Sequence, residues 1–429
     1  MSHDTIVIGT GMAGLVAAVR LAQSGARVLV LAKGVGSTHL CPSTIDVLGY
    51  GPQRIERPGE ALAAHVEANP GHPYGLVEVS GLEAAVEWFK EQTVSGPLGP
   101  YAYVGSLEQN KLLPTAVGAA KPSAVVPETM AAGDLRGGAS LHIVGFRKLK
   151  DFHSALVADN VSRTEVGGPV EARSAELDLP AGGRVDLNGL ALARHFDDAA
   201  FRSAVVAQIV RRLGAEERVG FPAVLGIKDP HGAWADLEHR LGRPVFEIPT
   251  LPPSVPGMRV FAILREALRR SGGELILNAE VVGPALENGR LVGVRANLGR
   301  REVVHPADHV VLATGGFASG GLELDSRWKA RERALGLPVA GVPAPGEPRF
   351  TDSYFEEQPL SRAGVAVDRE LRPVGPGGEP VYDNVRVAGA TLAGAVPWTE
   401  KSGDGISLAT GFRAAELILQ TTTVAAVTA

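Results

Sequence analysis

Six residues near the start, Gly9-Thr10-Gly11-Met12-Ala13-Gly14, constrain the fold more than any other stretch. They follow Thr5-Ile6-Val7-Ile8, a β-branched apolar run, and precede Leu15, Ala18, Val19, Leu21 and Ala22 at helical spacing. Arg27-Val28-Leu29-Val30-Leu31 then reads as a second strand. Strand, G-x-G-x-x-G, helix and strand within about thirty residues is the context in which this pattern marks a dinucleotide-binding turn. Gly9 allows the tight turn, Gly11 lets the backbone approach a pyrophosphate, and Gly14 lets helix and strand pack closely. The helix N-terminus adds free N–H groups and positive potential. The plain alternative is a glycine-rich βα turn that holds no nucleotide.

Composition narrows the class. A chain of 429 residues has room for two or three domains, and 45% apolar with 21% charged residues is ordinary for a globular protein. A net charge of −5 gives no basis for binding nucleic acid or an anionic membrane surface. The single cysteine, Cys41, excludes intrachain disulfides, a cysteine-ligated iron–sulfur cluster and a thiol–disulfide pair. That usage fits a reducing cytoplasm. The start lacks a basic region and leads straight into a strand, so no signal peptide is expected. No charge-free apolar run is long enough for a membrane span. The histidines are scattered, so no metal site is expected.

Two later segments look like returns to the first sheet. His309-Val310-Val311-Leu312-Ala313-Thr314-Gly315-Gly316 is a buried strand ending in a glycine turn, and Asn384-Val385-Arg386-Val387-Ala388-Gly389 repeats that form. Ser402-Gly403-Asp404-Gly405 then leads into a helix from about Ile406 to Gln420. Ahead of both, Glu274–Ala279 and Gly289–Asn297 read as strands of a small antiparallel sheet. The expected organisation is α/β: a Rossmann-like nucleotide domain assembled from discontinuous segments, with an inserted α+β cap or substrate domain. Residues 1–75 form the first nucleotide-binding segment, 76–250 the insertion, and 251–429 the returning segments.

The Ala-Thr-Gly-Gly segment resembles that of FAD-dependent oxidoreductases of the fumarate reductase and succinate dehydrogenase flavoprotein type. His72-Pro73-Tyr74, Val144-Gly145, Asp151-Phe152, the run Pro249-Thr250-Leu251-Pro252-Pro253-Ser254-Val255 with Gly257 and Arg259, Phe317 with Ser319-Gly320-Gly321, and Leu371-Arg372-Pro373 occur in this order. Together they resemble the B-subunit family of anaerobic glycerol-3-phosphate dehydrogenases over nearly the whole chain. The resemblance implies oxidation of sn-glycerol 3-phosphate to dihydroxyacetone phosphate with electrons passed to a quinone. It also implies two partners: a second, larger flavoprotein (the A-subunit) and a membrane-bound iron–sulfur protein (the C-subunit). The location implied is cytoplasmic, on the inner face of the cell membrane through the iron–sulfur partner. In such folds the last helix starts at the flavin, where its N-terminus favours negative charge on the reduced ring.

The cofactor residues expected are Gly9, Gly11, Gly14, Lys33, Thr314, Gly315, Gly389, Gly403, Asp404, Gly405 and Ile406. FAD is expected, because the fingerprint calls for a pyrophosphate; FMN, which the family suggests, is the alternative. Two departures stand out. Ala32-Lys33 occupies the place of a ribose-binding acid, and Ala390 follows Gly389 where many FAD enzymes have one. Lys33 is read either as a phosphate ligand or as a surface lysine. Alcohol oxidation needs a proton acceptor, and a phosphorylated substrate needs cations. His39, His72 and Arg259 are the catalytic candidates; their plain alternatives are a packed loop histidine, a turn cap and a hinge salt bridge. Two other functions compete: a stand-alone FAD enzyme of the fumarate reductase type, and an electron-transfer or structural flavoprotein without its own catalysis.

Overall fold

The strand His3–Ile8 lies in the middle of a parallel sheet because every residue from Ile6 to Ile8 is apolar and buried. It pairs with Val28–Ala32 on one side and with the second half of Arg301–Leu312 on the other. Glu274–Leu277 extends the sheet beyond Val28–Ala32, and Val385–Val387 extends it beyond Val310–Leu312, all parallel. The strand order is that of a doubly wound dinucleotide fold. The computed structural model giving these relations describes residues 2–178, 185–214, 216–354 and 356–428, with side chains described to residue 421.

The twelve-residue strand Arg301–Leu312 serves two pairings. Its first half is antiparallel to Arg290–Leu298, which pairs in turn with Ala279–Glu287 across the turn at Asn288-Gly289. Of the two strands expected in a small antiparallel sheet, the one at Gly289–Asn297 is there, continuous with the parallel sheet. Its partner is Ala279–Glu287, and Glu274–Leu277 is a parallel edge strand instead. The helix Met12–Gln23 buries ten of its residues and lies against the terminal helix Gly403–Thr428. At Gly411 a Cβ would fall 2.4 Å from the carbonyl oxygen of Ala13, so the helices meet backbone to backbone. Arg20 pairs with Glu416 at 2.7 Å on the flank of that contact.

By contacts the chain divides into two compact units, 1–37 with 60–89 and 264–429, and 38–59 with 90–263. These limits differ from the expected ones at 75 and 250. Residues 38–59 join the second unit because Ile45 bridges to Val125, and Asn110 donates to the carbonyls of Leu48 and Ile55. The proline-rich run marks the start of a helix, Val255–Arg270, whose Val255 sits in the second unit's core.

That second unit holds a four-stranded sheet in the order Val245–Ile248, Arg218–Pro222, Ala139–Phe146, Val170–Leu177, every pair parallel. The helices Ser154–Val161 and Pro230–Leu241 lie between successive strands in the chain. This is a wound α/β layer where an α+β cap was expected. The reason is local: strands buried along their length, such as Leu141–Phe146, are covered on both faces, as parallel strands must be. Antiparallel pairing in the unit is confined, among the described residues, to short ladders such as Lys111–Pro114 with Ala120–Ser123.

Candidate functional site

The fingerprint closes as its glycines require. Gly9 has φ +112°, and a Cβ there would lie 2.3 Å from the carbonyl oxygen of Ala313. A Cβ on Gly14 would lie 2.1 Å from the carbonyl oxygen of Gly9. Any side chain at either position breaks the turn. Gly11 differs: a Cβ there would meet nothing nearer than the Ser37 hydroxyl, at 4.0 Å. The helix that follows has no side-chain cap and no acidic residue in its first turn. Its N-terminal N–H groups and positive potential are thus open at the one glycine of the three where the protein leaves room.

The returning segments converge on this turn. Thr10 Oγ1 donates to the carbonyl of Gly34 at 2.6 Å, which ties the end of the second strand to the fingerprint. A Cβ on Gly36 would come within 2.7 Å of Gly11 N, so the turn before Ser37 packs on the glycine loop. Gly315 N donates to Thr391 Oγ1 at 2.9 Å, and Gly389 N donates to Thr410 Oγ1 at 2.8 Å. A Cβ on Gly389 would meet Ala13 Cβ at 2.9 Å. Gly9, Gly11, Gly14, Thr314, Gly315 and Gly389 are therefore held around the carboxyl ends of the parallel strands, where wound sheets bind ligands. The buried hydroxyl of Thr314 has no hydrogen-bond partner. A buried orphan hydroxyl and an open helix N-terminus are what a phosphate- and hydroxyl-rich dinucleotide would satisfy. These residues fit FAD.

Gly403, Asp404, Gly405 and Ile406 form the first turn of the terminal helix, which starts three residues earlier than expected. Lys33 is exposed and its Nζ lies 3.1 Å from Glu280, which Arg333 also contacts. That surface pair accounts for Lys33, and the phosphate reading has no geometric support.

Arg259 is a correction. Its guanidinium is fully buried in the second unit, with Nη1 2.7 Å from Glu247 Oε2 and Nη2 3.0 Å from Glu247 Oε1. Nε and Nη2 also donate to the carbonyl of Gly226, and Nη1 to the Tyr101 hydroxyl. All five N–H donors of the fork are committed. Burial alone would lower its pKa, but Glu247 and Tyr101 more than offset this and raise it, so the ion is permanent. A substrate phosphate finds no free donor there. His72 is likewise fully engaged in the first unit. Its Nδ1 accepts from Tyr74 N at 3.1 Å, capping the turn Pro73–Leu76, and its Nε2 lies 3.1 Å from Glu400 Oε2. A ring buried with both nitrogens occupied is a structural element rather than a proton acceptor.

His39 retains an unused nitrogen. It belongs to the second unit, packs edge-on against Phe261 at 5.0 Å, and its buried Nε2 has no hydrogen-bond partner. Burial lowers its pKa, which favours the neutral, proton-accepting ring at neutral pH.

Sequence reasoning missed Glu400. With His65 and His72 it places three ligand-type atoms within 4.8 Å of one another, so the histidines are not all scattered. The hydrogen bonds nevertheless argue against a metal. Because His72 Nδ1 accepts from a backbone N–H, its Nε2 must carry the ring proton, which it donates to Glu400. Coordination through Nε2 would require an imidazolate, whereas ligating histidines donate their other N–H to a partner. Nothing in the sequence links Glu400 to His72, 328 positions away.

Residues 4–408 match the family model described as FAD binding domain. The chain is 31% identical over 436 residues to the anaerobic glycerol-3-phosphate dehydrogenase B-subunit of Pectobacterium atrosepticum, covering 98% of this chain and 99% of that one. It is 30% identical over 430 residues to a probable B-subunit of the same enzyme from Halobacterium salinarum, covering 96% and 97%. For the Vibrio cholerae B-subunit the identity is 28% over 433 residues, covering 98% and 97%.

Proposed function

Because the chain belongs to the FAD-binding flavoproteins and, within them, to the B-subunit family of anaerobic glycerol-3-phosphate dehydrogenases, we propose that it works in a respiratory enzyme oxidising sn-glycerol 3-phosphate to dihydroxyacetone phosphate, with a quinone as electron acceptor. It is an FAD-dependent oxidoreductase and one component of a multi-subunit assembly. The observation that carries the reading is end-to-end likeness to B-subunits from both Halobacterium salinarum and Pectobacterium atrosepticum.

FAD supplies a two-electron acceptor for the carbinol hydrogen of an alcohol. The chain's own residues do the rest. Gly11 and the uncapped start of Met12–Gln23 would receive the pyrophosphate, and Thr314 would offer its unpaired hydroxyl. Gly403–Ile406 offers the ring helix N-terminal N–H groups, whose positive potential Asp404 in the same turn partly offsets. His39, neutral and with Nε2 unpartnered, is the residue proposed to take the hydroxyl proton. The proposed partners are the larger flavoprotein, or A-subunit, and the membrane-bound iron–sulfur protein, or C-subunit. One cysteine cannot ligate a cluster, and among the described residues no helix is long and apolar enough to cross a membrane. A cytoplasmic position at the inner membrane face, reached through the iron–sulfur partner, is part of the same proposal.

A second reading is favoured by Arg259. With that guanidinium committed to Glu247, the substrate phosphate has lost its expected ligand in this chain. The larger flavoprotein would then oxidise the substrate and this chain would relay electrons. The assembled complex separates the two: His39→Ala should cut glycerol-3-phosphate-dependent flavin reduction at least a hundredfold while leaving flavin content unchanged. Wild-type turnover in that variant assigns the oxidation to the larger flavoprotein. Turnover of dicarboxylates by the isolated chain would instead identify a stand-alone enzyme.

A further inference from the structure

The turn that leads into the terminal helix is held by more than helix formation needs. Ser402 marks the boundary: its carbonyl accepts from Ile406 N at 2.9 Å, the first bond of the helix. The same carbonyl accepts from the Tyr74 hydroxyl at 3.4 Å, and the Ser402 hydroxyl donates to Glu400 Oε2 at 2.8 Å. Glu400 Oε1 accepts from Val396 N at 2.9 Å, and Oε2 also receives His72 Nε2–H. Lys401, between Glu400 and Ser402, has φ +52°. A left-handed lysine is strained and persists only where its neighbours over-determine it.

This knot stands at the end of a helix already anchored to the nucleotide turn. Gly411 meets Ala13 backbone to backbone, and Gly389 sits against Ala13 and Ser407. From Gly411 back to Gly403 the helix runs about 12 Å at 1.5 Å per residue. That distance is shorter than an extended dinucleotide. We propose that Glu400 is a positioning residue for bound FAD: through Ser402 it fixes the first turn of the terminal helix, and its buried carboxylate adds negative charge behind that turn, beyond Asp404 within it.

The carboxylate is ionised in the folded chain. Burial would raise its pKa, but the His72, Val396 and Ser402 hydrogen bonds more than offset this and hold it at about 2. His65 Nε2, 3.9 Å from Oε1 and without a hydrogen-bond partner, adds no compensating charge at neutral pH, because burial lowers its pKa. The Arg362 guanidinium, paired with Glu357, also interacts with Glu400 and offsets part of its charge. The negative charge that remains behind the helix N-terminus opposes the positive potential that would stabilise a reduced, anionic flavin. Glu400 therefore holds the flavin potential below the value the helix alone would give.

The inference rests on FAD binding at the fingerprint, and its test keeps the two apart. The full chain is loaded with FAD, and the flavin midpoint potential, FAD dissociation constant and Tm are measured for wild type, Glu400→Gln and Ser402→Ala. Glu400→Gln should move the potential to a more positive value. Ser402→Ala, which keeps the carboxylate and its other bonds, should weaken FAD binding five- to tenfold with the potential unchanged. A Glu400→Gln protein with lower Tm but wild-type potential and affinity overturns the proposal and leaves Glu400 a buried structural acid. If Glu400→Gln does not fold, wild-type FAD affinity in Ser402→Ala overturns it equally. Failure of the wild-type chain to bind FAD would sink the flavin reading itself.

Discussion

The strands His3–Ile8 and Ala139–Phe146 begin two sheets of the same kind, and the turns after them are built oppositely. Each strand is followed by a helix that crosses to a parallel neighbour. After His3–Ile8 the helix starts at an empty glycine, with no cap and no acid. After Ala139–Phe146 the helix start is filled by the protein itself. Ser154 donates to Glu176 Oε1 from its hydroxyl at 2.6 Å and from its N–H at 3.3 Å. A Cβ on Gly145 would collide with the same carboxylate at 2.2 Å. Elsewhere in that unit, the loop after Arg218–Pro222 gives the Gly226 carbonyl to Arg259, which is locked to Glu247. Topology creates a place for an anion at a helix N-terminus; side chains decide whether the place is left for a ligand or taken by a carboxylate.

Four substitutions press on that contrast. The largest effect is expected from Arg259→Met. Stranding Glu247 without its partner in a dry core should cost about 3–5 kcal/mol, read as a fall in Tm, with FAD content per folded molecule unchanged. Normal stability with a raised KM for glycerol 3-phosphate would return Arg259 to the substrate and make the second unit a binding unit.

Gly11→Val comes next. The protein leaves room for a side chain there, so the fold should survive while the pyrophosphate loses its place. A hundredfold or greater loss of FAD affinity, about 2.7 kcal/mol, should appear in a flavin fluorescence titration. Unchanged affinity would mean that the open glycine is not the phosphate site. Glu176→Gln should cost about 0.5–1 kcal/mol, the value of a charge at an exposed helix N-terminus, with flavin content unchanged from wild type. Uptake of a second flavin or of phosphate would show that only Glu176 distinguishes the two turns. The smallest change is expected from Lys33→Ala. Its exposed pair with Glu280 is worth about 0–1 kcal/mol, so Tm and FAD affinity should stay close to wild type. A tenfold loss of FAD affinity would restore Lys33 as a cofactor ligand.

Much of the nucleotide site is legible from residue order. The glycines at 9, 11 and 14 announce themselves because strand and helix periodicity bracket them within one short stretch. Thr314, Gly315 and Gly389 are visible for the same reason, each following a short apolar strand. The second wound sheet is not: its strands are separated by long connections, and their parallel pairing depends on which neighbour each finds. Arg259 shows the limit most sharply. A lone arginine after a proline-rich run reads equally well as a phosphate ligand or as half of an ion pair. The deciding partner, Glu247, sits on a strand whose sequence gives no sign of facing it.

By itself the sequence specifies a dinucleotide turn, its returning segments and the family to which they belong. Those are properties of local periodicity and of glycines whose missing Cβ is itself the signal. Only the folded chain decides which polar groups are already engaged and which remain available. Arg259 and His72 both look like chemistry in the sequence, and Glu400 looks like nothing at all. The fold pairs all three off because a buried charge or imidazole must find its hydrogen bonds before it can be stable. Gly11, Thr314 and His39 keep open positions because nothing in the fold comes near enough to fill them.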